Sequence, residues 1–310
     1  MTTGWVAATV RARAMARRRV GPVLARRVAA APSLAAGLAL LEGTAFERVA
    51  TPGTPLLDAE HGIKAEQLWE LRVLAGWLPA AGTPLARALA ARFERANIEA
   101  HRIRLAGGPA PPLFTLGTLA MSWPRLAATS SLEELRRELA ASIWGDPGGM
   151  SATELHDALL AAWLRMVAAA SAGLDRVQRW VAGGAVMLVA RTLATVSPEP
   201  PDTLRRTVTP LLGWRAAEAG SLADLHARLP ATARWALAGI DDPRRLWQAE
   251  ARLRARIESD GFRMLRTSHP GPAPVVGAIA VLAVDGWRLR VALACAAAGT
   301  GPSEVLDVVA

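Results

Sequence analysis

The sequence predicts an all-α protein, and three observations lead to this fold class. Alanine, the best helix former, is abundant in a chain of 310 residues whose positions are 52% hydrophobic. The chain has no tyrosine and only 4 phenylalanines, a composition that disfavours strands. Helix start and stop signals recur, whereas no run alternates apolar and polar residues as a half-buried strand does. We therefore expect many helices of moderate length joined by loops rich in Pro and Gly.

The first long helix is predicted to begin at Thr83, taken as an N-cap before Pro84, and to end near Gly107 and Gly108. A Pro/Gly-rich loop over 107–112 follows it. Apolar residues at helical spacing form one stripe that we expect to be buried: Leu85, Leu89, Phe93, Ala96, Ala100 and Ile103.

Serine capping signals mark the starts of three later helices. Ser131 with Glu134 and Ser151 with Glu154 are capping boxes, in which the serine accepts from a free backbone N–H and the glutamate reaches back. Ser221 with Asp224 is a weaker version of the same pattern.

Two further helices complete the predicted set. Asp242 before Pro243 predicts a cap ahead of an arginine-rich helix that ends near Asp260. The last long helix is expected from Pro274 to about Gly299. Its predicted buried stripe is Val275, Ile279, Leu282, Gly286, Leu289 and Leu293.

Composition limits the compartment and the partners. Cys295 is the single cysteine, which we expect to be a packed thiol, so an oxidising compartment is not indicated. The N-terminal arginines are not followed by the apolar region of a secretory signal, and no apolar run reaches the roughly 18–20 residues of a membrane span. The net charge of +9 favours an anionic partner, although a solvated arginine-rich surface explains it equally well.

Known catalytic and metal-binding patterns are missing from the sequence. There is no phosphate-binding glycine loop, and Lys64, the single lysine, lies outside any glycine-rich context. No histidine has another histidine or cysteine at ligand spacing: His61, His101, His156, His226 and His269. We therefore predict no catalytic, cofactor-binding or metal-binding residue and a non-enzymatic role. An enzyme with dispersed catalytic residues stays the least favoured alternative.

Nucleic-acid binding is the main alternative function. The N-terminal arginines between Arg11 and Arg27 point all round a helix, and those between Arg244 and Arg256 are partly balanced by Glu250 and Glu258. No aromatic interleaving suitable for stacking on bases is visible among them. A solvated or protein-facing helix is the more favoured interpretation, but a basic helical nucleic-acid-binding or regulatory protein remains open.

An internal repeat is the more informative pattern. In the first long helix an acid at Glu94 is followed by Asn97 and Ile98. In the last helix Asp285 is followed in the same order by Arg288, Leu289 and Arg290. An acid and a polar residue three apart share a helix face and can pair.

In both copies a Gly/Pro loop and a short apolar piece come after the helix, at Leu113 and at Val305. A fainter third copy runs from Val186 through Arg191 towards Ser197 and Pro198. Chance likeness among helices rich in Ala, Leu and Arg is the alternative explanation.

With these motifs the chain resembles the C-type subunits of the V/A-type rotary ATPases, the family of rotor adaptors that includes the d-type subunits of the eukaryotic V-ATPases. The opening segment, from Ala7–Arg13 to Leu38–Thr44, is similar to the first helices of that family. Glu94 with Asn97-Ile98, and then Arg102 and Gly107, resembles its D-x-x-N-L helix.

The segment from Pro274 through Leu289-Arg290 to Gly299 resembles the family's closing E-x-x-N-L-R helix. Departures are Arg288 in place of the usual Asn, Glu99 in place of a basic residue, and Val186 and Val189 at the polar places of the middle copy.

The resemblance implies three similar helical domains in a pseudo-threefold funnel, which we place at 1–118, 119–212 and 213–310. It implies a non-catalytic central-stalk rotor subunit of a proton- or sodium-translocating ATPase or ATP synthase. The expected partners are the central shaft subunits and the membrane proteolipid ring. The expected location is cytoplasmic and peripheral, on the inner face of the cell membrane without spanning it, with no cofactor and no nucleic acid.

Overall fold

The computed structural model describes residues 3–195 and 201–309, and within them the fold is 70% helix with no strand. The all-α prediction is confirmed. The chain forms two compact units, Met1–Thr83 with Arg254–Ala310, and Pro84–Leu253. The funnel of three domains at 1–118, 119–212 and 213–310 stays a prediction. The end of the third repeat copy, at 197–198, lies outside the described residues.

The described residues form α-helices that we number α1 to α15 in chain order. Their bounds are α1 Val6–Ala16, α2 Gly21–Ala29, α3 Leu34–Ala39, α4 Leu56–Ala75, α5 Thr83–Leu105, α6 Trp123–Leu126, α7 Leu132–Ala140, α8 Ala152–Ala170, α9 Asp175–Thr195, α10 Asp202–Leu212, α11 Trp214–Ala217, α12 Leu222–Arg228, α13 Leu246–Leu265, α14 Pro272–Ala298 and α15 Glu304–Val308.

Helix α14 is the centre of the first unit. It packs against α1, α2, α3, α4 and α15, and it is buried on nearly every face rather than along one stripe. All six residues of its predicted stripe are buried, and so is the thiol of Cys295. Because the helix is apolar all round, the stripe underestimates how much of it lies in the core. Gly299, at φ 65°, ends the helix in the left-handed conformation that favours glycine.

Helices α13 and α14 approach closely in this unit because each has a glycine at the contact. A Cβ atom built on Gly277 would lie 2.6 Å from the carbonyl oxygen of Gly261 and 3.2 Å from the backbone nitrogen of Leu265. Arg13 of α1 satisfies the C-terminal end of α13, since its Nε donates to the Leu265 oxygen at 3.0 Å. Its Nη2 donates to the Thr267 oxygen at 2.6 Å. These contacts tie both sequence ends of the unit together.

The second unit packs α8 against α9, with α10 contacting both. Helix α5 joins it through the Trp163 indole, whose Nε1 donates to the Ala88 carbonyl oxygen at 3.0 Å. In the predicted stripe of α5, Leu85, Phe93 and Ala100 are buried, whereas its other members are partly exposed. The stripe therefore faces the core mainly at its first, third and fifth positions.

The predicted helix caps are largely present. Ser151 and Glu154 form a complete capping box. Ser131 accepts from the Glu134 N–H, but the Glu134 carboxylate bonds the N–H of Ser130 instead of that of Ser131. Ser221 accepts from the Asp224 N–H, as predicted. In each case the signal is local, so the sequence contains everything that the cap needs.

Other sequence-based boundaries are corrected by the structure. Thr83 is not an N-cap: its backbone is helical, with φ −59° and ψ −43°, because the 3-10 helix Ala80–Gly82 leads directly into α5. Asp242 caps a 3-10 helix, Pro243–Arg245, and α13 then continues to Leu265 rather than Asp260.

The predicted short loop at 107–112 is the start of a longer connection that reaches Ser122, with only the 3-10 helix Gly117–Leu119 inside it. No helix of the described residues is both long and apolar enough to cross a bilayer.

We predict that Gly277→Ala destabilises the first unit by about 1–3 kcal/mol, because backbone atoms of α13 occupy the position of the new methyl group. Urea denaturation followed by circular dichroism measures this change. Gly76→Ala is the matched control, since Gly76 is exposed at the end of α4 with φ −66°. An equal effect at both positions would contradict the close approach of α13 and α14.

Candidate functional site

The residues of the predicted repeat lie in both units. Glu94, Asn97, Ile98 and Arg191 belong to the second unit, and Asp285, Arg288, Leu289 and Arg290 belong to the first. Ile98 and Leu289 are fully buried and serve as core residues. The acid and the polar residue three positions later are also buried on both α5 and α14. Buried polar groups need partners, so their contacts identify what the motif does.

Glu94 binds the start of a short helix. Its side chain is 1% exposed, and its Oε2 accepts from the Met121 N–H at 2.7 Å. Its Oε1 accepts from the Ser122 N–H and from the Trp144 indole Nε1–H, both at 2.9 Å. Ser122 is the N-cap of α6, where backbone N–H groups have no partner inside the helix. The carboxylate therefore satisfies donors that the helix itself leaves open.

Asn97, one turn further along α5, holds the connection that leaves the helix. Its Nδ2 donates to the Phe114 oxygen at 2.9 Å, and its Oδ1 accepts from the Phe114 N–H at 2.7 Å. The Phe114 ring packs edge-on against Phe93, with 5.3 Å between ring centroids. One amide side chain thus replaces the backbone pairing that this non-helical segment lacks.

Asp285 on α14 repeats the role of Glu94 with a partner from the other end of the chain. Its Oδ2 accepts from the Val20 N–H at 2.7 Å and its Oδ1 from the Gly21 N–H at 2.8 Å. Val20 is the N-cap of α2. The same chemistry, a buried carboxylate on the N–H groups at a helix start, therefore recurs on both repeat helices.

Arg288 takes the place that Asn97 has on α5. Its Nη2 donates to the Val309 oxygen at 2.7 Å and to the Glu258 carboxylate at 2.5 Å. Val309 follows the Gly/Pro loop after α14, as Phe114 follows the loop after α5. An arginine cannot accept from a backbone N–H, and its buried charge needs a counter-ion, which Glu258 supplies.

The i, i+3 pairing predicted from sequence holds on one helix and fails on the other. Arg288 Nη1 lies 3.6 Å from Asp285 Oδ1, within ion-pair distance. Among the contacts of the described residues, Glu94 and Asn97 do not bond each other; each binds backbone groups of the 114–122 segment instead. The neutral amide does not attract the carboxylate as a guanidinium does.

Burial dominates the electrostatics of Asp285. It raises the pKa of the carboxyl group, and the N–H groups of Gly21 and Val20 and the charge of Arg288 oppose that rise only in part. Glu258, which shares Arg288, adds to the rise. Two carboxylates therefore depend on one buried guanidinium.

The remaining repeat positions do not form such a site. Val186 and Val189 are fully buried in α9, so the middle copy has core residues where the others have an acid and a polar group. Arg191 forms an ion pair with Glu250 of α13. Arg290 lies 4.0 Å from Glu60 of α4. Three equivalent polar sites are thus not present at these positions.

Several partners cannot be identified from the sequence. Trp144 and Glu258 complete the Glu94 and Arg288 sites. Gln67 of α4 donates from its Nε2 to the Leu282 oxygen of α14 at 2.8 Å. None lies at a fixed spacing from its partner, and the sequence assigns Glu258 only to balancing nearby arginines. A lone buried glutamine or tryptophan has no sequence signal that separates it from other core positions.

A further polar contact, between α8 and α5, involves titratable groups outside these two sites. His156 Nδ1 lies 3.0 Å from Glu99 Oε1, and burial raises the pKa of the neighbouring Asp157. Among the described residues, no three His, Cys, Asp or Glu side chains converge to hold a metal ion. The contacts around Glu94 and Asp285 are structural: they fix helix starts and returning segments against the long helices α5 and α14.

No protein-family model matches this chain, and a comparison with curated proteins finds no match either. The resemblance to the rotor adaptors of the rotary ATPases therefore stays a prediction that rests on the residues themselves.

We predict that Glu94→Gln lowers the free energy of unfolding by about 1–3 kcal/mol, because the amide cannot accept from all three donors around the carboxylate. Urea denaturation measures the loss. Glu218→Gln, at an exposed position of the same unit, removes the same charge and should change stability by less than about 0.5 kcal/mol. Equal stability of Glu94→Gln and wild type would contradict the assigned hydrogen bonds.

Asp285 also leads to a pH-dependent prediction. Its pKa in the folded state is raised, so between the ordinary aspartate value of about 4 and that raised value the folded chain binds more protons than the unfolded chain. The contribution of Asp285 to stability therefore falls as the pH rises through this window. Asp285→Asn does not titrate, so its stability deficit relative to wild type should shrink as the pH rises.

The measurement is urea denaturation of both proteins at several pH values across that window. A deficit that grows with pH would show that the ion pair with Arg288 outweighs burial, contrary to this prediction.

Proposed function

We propose that this chain is a non-catalytic central-stalk rotor subunit of a V/A-type rotary ATPase or ATP synthase. In this role it couples the central shaft to the membrane proteolipid ring, peripheral to the cytoplasmic face of the membrane. The main support for this role is that the two repeat motifs make corresponding contacts in the structure. The motifs that resemble the family, Glu94 with Asn97 and Asp285 with Arg288, hold equivalent structural positions on α5 and α14.

The departure at Arg288 is compatible with this role. In the family resemblance an asparagine is expected there, and Asn97 shows what such a residue does on α5 by holding the backbone after the loop. Arg288 makes the corresponding bond to the Val309 oxygen at 2.7 Å. The substitution therefore preserves the mechanical task, and Glu258 compensates the added charge.

The packing of the first unit around α14 also supports a role in transmitting force. Helix α14 has 27 residues, which corresponds to a length of about 40 Å. It is buried on nearly every face and held by polar contacts to both sequence ends of the unit. A long helix packed in this way bends little, because displacing it breaks core packing and buried hydrogen bonds together.

The contacts of three arginines on α13 make the nucleic-acid alternative less favoured. Arg252 donates to the Ala238 oxygen at 2.7 Å, and Arg254 lies 4.4 Å from the centre of the Trp287 ring. Arg256 is 3.7 Å from Asp260. These side chains engage other parts of the chain, so fewer of their charges are available for phosphates.

The test is affinity purification of the full chain, tagged in the cells that encode it and solubilised in mild detergent. We expect the central shaft subunits and the proteolipid to be recovered with it in fixed ratio, as identified by mass spectrometry. An unrelated tagged protein of the same cells is the control.

Recovery of the chain without ATPase subunits would contradict the proposal. Retention on DNA or RNA that is lost steeply with added salt would instead support the alternative function.

A further inference from the structure

The first unit contains a cavity of about 360 Å³ that the repeat motifs do not use. It lies between the end of α1, the segment 44–48 and one face of α4, and its charged and aromatic lining residues are Arg18, Glu47, Arg48, Glu66 and Trp69. Its size is in the range of sites that bind small molecules. Glu66 and Trp69 are three residues apart on α4, so both side chains face the cavity from one side.

Two arginines supply positive charge to this cavity. Arg18 is already engaged: its Nη2 lies 3.3 Å from Glu66 Oε1, and its guanidinium lies 5.3 Å from the centre of the Trp69 ring. Arg48 is exposed and makes no ion pair or hydrogen bond with any described residue. Arg48 therefore offers its full set of donors to an oxyanion, and Arg18 retains donors beyond the one used by Glu66.

The cavity also presents groups that attract a cation. Glu47 is exposed and uses one oxygen, Oε2, to accept from the Gly43 N–H at 2.8 Å. The Glu66 carboxylate uses Oε1 for Arg18. Trp69 is 45% exposed although it is a large aromatic residue, and Arg18 already lies over its ring. Because Arg18 is already the cation over this ring, the carboxylates of Glu47 and Glu66 are the groups that remain for a second cation.

The formal charges in the cavity cancel, since two arginines face two glutamates. A simple anion would satisfy Arg48 but would be repelled by the glutamates, and a simple cation would meet the opposite problem. A ligand that carries both charges meets both halves. Guanidinium groups bind the oxygens of a phosphate group as forks, and a phosphate has enough oxygens to reach Arg48 and Arg18 together.

We propose that this cavity binds a zwitterionic ammonium–phosphate group, with the phosphate on Arg48 and Arg18 and the ammonium against the carboxylates of Glu47 and Glu66. Such a group occurs in phosphoethanolamine, either free or as the headgroup of a membrane lipid. This binding does not depend on the proposed rotor role. Its failure would leave that role untouched, and the reverse also holds.

Isothermal titration of the full chain with O-phosphoethanolamine at low ionic strength is the first test. Ethanolamine and methyl phosphate serve as the two halves of the ligand, and β-alanine as a zwitterion with a carboxylate. We expect phosphoethanolamine to bind at least about tenfold more tightly than any of the three, because each lacks a charge or the additional oxygen contacts. Equal binding of methyl phosphate or β-alanine, or no binding of phosphoethanolamine, would overturn the proposal.

Arg48→Gln is the decisive variant, because an exposed residue without an ion pair is not needed for folding. We expect it to weaken phosphoethanolamine binding by about tenfold or more. Arg27→Gln is the matched control: Arg27 is exposed in the same unit and outside the cavity, so affinity should not change. Equal loss in both variants would mean non-specific charge attraction and would contradict the site.

Vesicles distinguish the two sources of the ligand. Sedimentation with phosphatidylcholine vesicles, with and without phosphatidylethanolamine, shows whether the cavity reaches a lipid headgroup whose primary ammonium donates hydrogen bonds to the glutamates, which the quaternary ammonium of choline cannot do. Binding that requires phosphatidylethanolamine and is lost in Arg48→Gln supports a lipid ligand. Binding of the soluble compound alone supports a free ligand, and both results support the site.

Discussion

Two carboxylates without access to water impose the main constraint on this fold. Glu94 and Asp285 are each 1% exposed, and a buried carboxylate that lacks hydrogen-bond donors costs several kcal/mol. Both find their donors at the start of another helix, where backbone N–H groups lack partners of their own. The carboxylate therefore gains the donors it needs, and the backbone N–H groups gain an acceptor. As a result, the position of the short helix depends on the long helix that carries the carboxylate. For Asp285 the partner lies more than 250 residues away in the chain.

The residue three positions after each acid extends this constraint to the returning chain. Asn97 fixes Phe114 with a pair of hydrogen bonds, which explains why the long connection after α5 is ordered without being helical. Arg288 does the corresponding work at Val309, but as a cation it also requires Glu258. In the middle copy Val186 and Val189 meet the need for burial by being apolar. The chain therefore fills the repeat positions in two ways, with bonded polar residues on α5 and α14 and with apolar residues in the middle copy.

Local chemistry explains which features the sequence predicts well. Ser151 and Glu154 contain a whole capping box within four residues, and the apolar spacing of α14 reveals its core position. Features that depend on distant partners are not predictable in this way. The repeat pattern points to the two acids but not to their acceptor role, because the donors are backbone groups with no side-chain signature. The cavity beside Trp69 likewise forms from segments that are separate in sequence.

The failure at Thr83 has a similar cause. Threonine before proline is a sound local signal for a helix start, but a preceding 3-10 helix supplies the turn and removes the need for a cap. The repeat, the long buried helix and the arginines that bind within the chain are the observations that support the proposed role of a subunit that holds other macromolecules and transmits force. In this proposal the buried carboxylates hold the helix starts against the long helices. The proposed zwitterion site is a separate feature of the surface.

Amide hydrogen exchange at the two helix starts measures directly whether the buried carboxylates of Glu94 and Asp285 hold them in place. The N–H groups of Val20, Gly21, Met121 and Ser122 are bonded to carboxylates rather than to helix carbonyls. If those carboxylates hold the fold together, these amides should exchange as slowly as the amides in the middle of α5 and α14, through global unfolding. Rapid exchange at these positions, with protection retained in the long helices, would show that the two carboxylates do not hold the helix starts.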